Sequence, residues 1–446
     1  MAVSETLGED QGARSAAGGG HMAMTTALTS MFIIFLPFQD TPLANTALRA
    51  FGYSLSVVPL VVLMFLSLVQ WFANPDRRVS GATALITLYV LIVSLASLII
   101  FGSFSNGSNL IVKSMTMTIL YVSFLYAIFG IDWDADRYGR LIQYAFLTFV
   151  LIVFFTQILG VKALDGFPIH GRINAQMRPR GPAYEASTAG AFLISMSCLS
   201  AFLSKRRLVQ LAFVIAAALC LLLVKSKGGF IMFLATLTVA LTLGRGISWR
   251  NIIIGLVVGV AVSAVALPYI FSQAIREMVG SQSTSVISRG TLWLLPFHVA
   301  LSNPFGVGPT GYYPAVSYYG PQITNWLESL TGLPALFFAE VRGYFFATNT
   351  EAIDTKTYMG NLIMMGGFPG LFLWLGGNVW LLARLVRISH PNRLFLIAAV
   401  AYVFMAGSTY VSSMSLYNLA AVYGIAFATI RQAARPPVLG PDVAVG

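Results

Sequence analysis

Of 446 residues, 57% are hydrophobic and only 10% carry a formal charge, far below the quarter or so typical of soluble domains. The mean hydropathy of +0.78 excludes an ordinary water-soluble enzyme. The net charge of +11 does not point to nucleic acid as a partner, because the 27 lysines and arginines stand singly or in short clusters between apolar runs, as membrane topology requires.

Residues 1–22 are rich in Gly, Ala and Ser and lack an apolar core. They are not a secretory signal and read as a disordered cytoplasmic tail, or in part as an added expression segment at Gly18-Gly19-Gly20-His21-Met22. Apolar runs follow at about 23–38, 52–72, 82–102, 110–130, 141–161, 187–204, 208–224, 228–244, 251–271, 361–384, 394–410 and 413–430. Each approaches the ~20 residues that a helix needs to cross the hydrocarbon, and unpaired amides restrict such segments to helices. The reading is therefore an all-α integral membrane protein of about twelve spans: nine within 23–271, a large outer loop with short helices at 272–358, three more within 359–431, and a cytoplasmic tail at 432–446.

Orientation follows from the basic residues. With the amino end inside, fifteen fall on the inner face, including the short-loop clusters Arg77-Arg78 and Lys205-Arg206-Arg207, and twelve on the outer face. So many cations outside ask for an anionic ligand. Cys198 and Cys220 fall within apolar runs and read as packing residues. The pairs Gly255/Gly259 and Gly366/Gly370 permit close helix approach, and Pro369 predicts a kink in the tenth span. Asp132-Trp133-Asp134-Ala135-Asp136 could alternate carboxylates around a divalent ion. With no phosphate loop beside it and Arg137 and Arg140 adjoining, it reads instead as a solvated turn, and no metal site is expected.

Two segments could carry chemistry. After the fifth span, Arg172, Arg178 and Arg180 precede Tyr184 and Glu185 at the start of the sixth. Guanidinium forks suit phosphate oxygens, although contact with lipid headgroups is the plainer account of these arginines. Glu185 is either a first-turn acid favoured by the helix dipole or a general base. In the insert, Arg289 and Trp293 lie on a short amphipathic helix that precedes the turn Asn303-Pro304-Phe305-Gly306-Val307-Gly308-Pro309. Arg289 is the best candidate for holding a pyrophosphate, against a structural salt bridge within the loop. Lys225 and Lys227 flank the outer end of the seventh span and either snorkel or hold phosphate. Tyr312, Tyr313 and Tyr318 are candidates for stacking on sugars, with Glu351 and Asp354 as polar neighbours, against an interfacial aromatic belt.

In order along 165–385, the Arg-Trp helix with Asn-Pro-Phe-Gly-Val-Gly-Pro, the turn Lys225-Ser226-Lys227-Gly228-Gly229, the segment Gly181-Pro182-Ala183-Tyr184-Glu185-Ala186-Ser187 and Gly367-Phe368-Pro369-Gly370 resemble the O-antigen polymerase and O-antigen ligase superfamily. In the ligases a His-Asn pair stands some eleven residues before the Gly-Leu-Pro-Gly segment. Here Lys356 holds that place and no histidine is near. A lysine can hold phosphate but is a poor base at neutral pH, so the resemblance favours a polymerase.

The resemblance implies a GT-C-like glycosyltransferase of the bacterial inner membrane, open to the periplasm. It would polymerise oligosaccharide repeat units carried on undecaprenyl pyrophosphate, without metal, ATP or other cofactor because the donor is already activated. In this picture Arg289, aided by Arg172, Arg178, Arg180, Lys225, Lys227 or Lys356, stabilises the departing diphosphate, and Glu185 orients or deprotonates the acceptor hydroxyl. Membrane lipids surround it, and a chain-length regulator protein is an implied partner. The rivals are an O-antigen ligase and, in a different class, a transporter of lipid-linked sugar.

Overall fold

The computed structural model describes residues 23–39, 41, 54–73, 88–89, 91–97, 99, 108–160, 180–183, 185–244, 284–345, 355, 357–409, 411 and 416–434. Among these the regular structure is helical throughout. In chain order the helices are α1 (Ala23–Phe35), α2 (Val57–Ala73), α3 (91–97), α4 (Ser108–Phe129), α5 (Ala135–Leu159), α6 (Ala186–Leu203), α7 (Arg207–Leu223) and α8 (Lys227–Gly244). They continue with α9 (Thr284–Ser302), α10 (Gly308–Thr331), α11 (Ala339–Phe345), α12 (Tyr358–Arg387), α13 (Arg393–Thr409) and α14 (Tyr417–Ala433). Helices α5, α6 and α12 are long and apolar enough to cross a membrane, and several of the others are shorter but similarly apolar. The protein is membrane-embedded. The ninth expected span, 251–271, lies outside the described residues, as do residues 1–22 and 435–446.

Helix α6 is the hub. Of its 18 residues, 15 are buried, and it packs against α5, α7, α8, α13 and α14. Its sequence explains this: Ala186, Ala189, Gly190, Ala191, Ser195, Ser197, Ser200 and Ala201 supply small side chains all round, so neighbouring backbones approach closely without a hydrophobic driving force in lipid. The ends of the helices gather into two groups. At what we term the Glu185 end, the amide of Gln39, just after α1, donates to Pro182 O at 3.0 Å. Gln39 Nε2 donates to Asn418 Oδ1 on α14 at 3.1 Å, and Asn418 Nδ2 to Ser195 Oγ on α6 at 2.8 Å. At the same end the first residue of α12, Tyr358, donates from its amide to Val411 O just beyond α13, at 2.7 Å.

At the opposite end, Asn392 in the α12–α13 turn donates to Phe202 O and Ser204 O at 2.9 and 2.7 Å. Arg393 donates to Val386 O, Ile388 O and Gly244 O, neutralising the carbonyl ends of α12 and α8. Lys205, Arg206, Arg207, Arg384 and Arg387 belong to this end, and Arg180 and Lys225 to the Glu185 end.

The insert differs from its expected form. In place of a short helix near 288–293 stands the 19-residue α9, followed by the 24-residue α10. They pack against each other, against α12 and, through α10, against α4. Leu292, Leu295, Val299, Tyr312 and Ala315 are fully buried there. The kink foreseen at Pro369 is present and centred on Gly367, whose φ of 60° and ψ of −144° break α12. The turn between α9 and α10 seats against that break.

Candidate functional site

The first segment is built around the start of α6. Gly181 takes φ 55°, which glycine adopts without strain, and a Cβ there would lie 2.9 Å from Val153 and 3.0 Å from Phe149. This tight turn, closed by Ala183 N donating to Arg180 O at 3.2 Å, leaves Arg180 only 4% exposed. Glu185 then caps α6 in extended conformation. Its amide donates to Thr188 Oγ1 at 3.0 Å, and its Oε1 accepts from Ser187 Oγ. The helix-dipole account of Glu185 thus describes its resting contacts, while the carboxylate stays exposed and open to a further partner.

The Lys225–Gly229 turn packs on α6. Helix α7 ends with amides turned back onto it, Val224 N to Cys220 O, Lys225 N to Leu222 O and Ser226 N to Leu221 O. Lys225 takes φ 54°, a left-handed conformation that costs an L-residue about 1–2 kcal/mol and that glycine usually occupies at a helix end. The following Ser226 is buried against α6. A Cβ on Gly190 would stand 3.0 Å from Ser226 Oγ and 3.5 Å from Gly229 Cα, and one on Gly229 would stand 2.7 Å from Ser226 Oγ. Those glycines let the Lys225-Ser226-Lys227 turn seat on α6 at Gly190. Lys225 is exposed.

Arg289 projects from the first turns of α9, is exposed, and forms no ion pair or hydrogen bond among the described residues. One turn on, Trp293 is 38% exposed and donates from Nε1 to Ser408 O on α13 at 3.2 Å. Ser408 Oγ in turn accepts from Trp374 Nε1 of α12 at 2.9 Å. Arg289 is therefore carried on the α12–α13 side of the bundle, and no contact joins it to Glu185 among the described residues.

The expected glycan-facing tyrosines separate. Tyr318 is 61% exposed and stands edge-on to Tyr319. Tyr312 and Tyr313 are buried, so their rings face protein rather than ligand. The Tyr312 hydroxyl donates to Asn361 Oδ1 at 2.7 Å and accepts from Thr355 N at 3.1 Å, and Thr355 Oγ1 donates to the same Oδ1 at 2.9 Å. Period-3.6 packing of α10 against α4 and α12 took these two positions, a fact that a loop assignment hides. Asn361 and Gln39 were not foreseen either, since a buried amide inside an apolar run gives no signal of its partner.

Arg172, Arg178, Tyr184, Glu351, Asp354 and Lys356 lie outside the described residues, as does the side chain of Lys227. Arg342, also in the insert, pairs with Glu328 and donates to Asn325 Oδ1 at 3.2 Å. In the Asp132–Asp136 turn, Asp134 caps α5, accepting from Asp136 N and Arg137 N. Among the described residues no three His, Cys, Asp or Glu side chains come together as a metal site, and Cys198 and Cys220 are buried free thiols.

No family model matches the chain. It is similar to an uncharacterized 49.5 kDa protein in the cps region of Klebsiella pneumoniae. The two are 23% identical over 350 residues, which cover 76% of this chain and 77% of that protein.

Proposed function

We propose that the protein is a membrane glycosyltransferase that lengthens a capsule-type or related polysaccharide by joining repeat units carried on undecaprenyl pyrophosphate. The relative in the cps region gives a polysaccharide-biosynthesis context. The observation that carries the reading is that the Lys225–Gly229 turn packs on α6 at Gly190, five residues on from the Glu185 cap, at the end of a membrane-embedded bundle that also holds Arg180. A carboxylate and cations at one end of the bundle are the composition that displacement of a diphosphate by a hydroxyl asks of a site.

In the proposed reaction the growing glycan, linked through its reducing end to the lipid diphosphate, is the donor. An acceptor hydroxyl on the incoming lipid-linked unit attacks that anomeric carbon, its proton passes to Glu185, and the bond to the diphosphate breaks. The electron pair leaves on the diphosphate oxygen, whose charge is met by Arg289 with Arg180 and Lys225. In this picture the chain has about twelve spans, both termini are cytoplasmic and the Glu185 end faces the periplasm. A chain-length regulator would be its partner.

Glu185→Gln keeps an oxygen for Ser187 and removes the base. General-base assistance is worth ~10²–10⁴-fold, so this variant, and Arg289→Ala, are expected to insert normally and yield surface glycan of single repeat units. The test is the glycan profile of a deletion strain complemented with each variant, together with extraction of the lipid-linked fraction. Full-length glycan accumulating on the lipid carrier would instead mark a ligase, and single units trapped inside would mark a transporter. Wild-type ladders from either variant would remove that residue from the chemistry.

A further inference from the structure

The break in α12 is closed by the turn that joins α9 to α10. In an unbroken helix Phe368 N would donate to Met364 O. Here Phe368 N donates to Pro304 O and Met364 O accepts from Val307 N, both at 2.8 Å, while Pro369 leaves Met365 O without a helical donor. The fit requires glycine on both sides: Gly306 holds φ 82°, and a Cβ on it would stand 2.5 Å from Gly367 N. Across this seam lies one side chain. The Tyr89 hydroxyl is 2.8 Å from Phe305 O in the turn and 2.9 Å from Gly366 O in α12, so its single proton serves both carbonyls.

The seam lies about 9–15 Å along α12 from its first residue, at ~1.5 Å per residue. Backbone at membrane depth that is neither helix nor sheet persists only where protein satisfies it. The turn and Tyr89 supply that satisfaction together. The seam also sets the register of α9 on α12. Arg289 lies fourteen residues before Asn303 along that helix, about 20 Å at the same rise. A tilt of about 10° at the seam would move its guanidinium by ~3–4 Å, and displacements of about 1 Å suffice to cost ~10²-fold in a well-aligned site.

We propose that Tyr89 is a positioning residue for the reaction proposed above, bridging Phe305 and Gly366 so that α9, and with it Arg289, is held in register with the half of α12 that begins at Tyr358. This rests on that functional reading for its consequence, though not for its geometry. It assigns the hydroxyl, not the ring, as the active part.

The test compares the purified wild type with Tyr89→Phe by hydrogen exchange and by chain-growth kinetics. Loss of the bridge should raise amide exchange about tenfold in peptides covering 303–308 and 364–369, the effect of one hydrogen bond, with the other helices unchanged. The rate at saturating donor should fall about tenfold while the half-saturating concentration stays within about twofold. Unchanged exchange at the seam would overturn the clamp whatever the glycan does. Exchange raised throughout the molecule would make Tyr89 a residue of general stability and also overturn it. Raised local exchange with undiminished chain growth would refute the positioning role while leaving the enzyme reading intact. If the wild type itself grows no chain, the functional reading fails separately and the exchange data alone decide the clamp.

Discussion

Gly367→Ala offers a quantitative test of the broken helix. The native φ of 60° and ψ of −144° lie in a region that is nearly closed to residues with a Cβ, at a cost of about 1–3 kcal/mol. The added methyl would also overlap the Pro304 carbonyl oxygen and crowd Gly306 N. To make room the turn must withdraw, and the bonds from Phe368 N and Val307 N are lost together. Each buried backbone group left without a partner costs about 1–3 kcal/mol. The combined penalty is about 3–9 kcal/mol, a large part of the ~5–15 kcal/mol that holds a domain folded.

The control lies in the same helix. A Cβ on Gly377 meets nothing within 4 Å and the residue is exposed, so Gly377→Ala adds only helix propensity, about 1 kcal/mol in favour of the fold. The assay is loss of the monodisperse peak on heating the detergent-solubilised protein. Gly367→Ala should melt well below wild type and Gly377→Ala at or slightly above it. Equal melting of the two alanine variants would show that α12 does not depend on the Gly367 conformation, and the account of the seam would fall with it.

Asn361→Leu should destabilise the protein by about 3 kcal/mol, because Tyr312, Thr355 N and Thr355 Oγ1 lose a shared buried acceptor; thermal unfolding reads this directly. Gly424→Ala should expel Trp133, whose indole a Cβ there would overlap and whose Nε1 donates to Ala127 O at 2.8 Å. Overpacking of this kind costs about 1–3 kcal/mol, and tryptophan emission should shift to the red. Burial lowers the His390 pKa below its ordinary value, and Nδ1 accepts from Asn392 N at 3.2 Å. Its contribution is therefore present above the unfolded value of about 6.5 and lost as the pH falls through the lower folded one. Melting should drop on acidification over that range, and His390→Gln should flatten the drop.

The legible and the hidden parts of this molecule divide on the range of the interaction that sets them. Span positions follow from local composition, and where their limits moved, a cap is responsible. Helix α5 begins at Ala135 rather than 141 because Asp134 accepts from two amides beyond it, and α12 begins at Tyr358 because Thr357 Oγ1 takes the Gly360 amide at 2.9 Å. The kink at Pro369 is equally local. What escaped is set between distant residues: Gln39 meets Asn418 across 379 positions, and the 225–229 turn seats on α6 only because Gly190 and Gly229 leave room for Ser226. The insert shows the same limit from the other side. Pro296, Pro314 and Pro321 stand inside helices that nonetheless form, and prolines and glycines made 284–331 read as short helices and turns. In lipid a segment with glycines and prolines can stay inside if neighbours complete its hydrogen bonds. Tyr89 and the 304–307 turn complete those of α12 in this way.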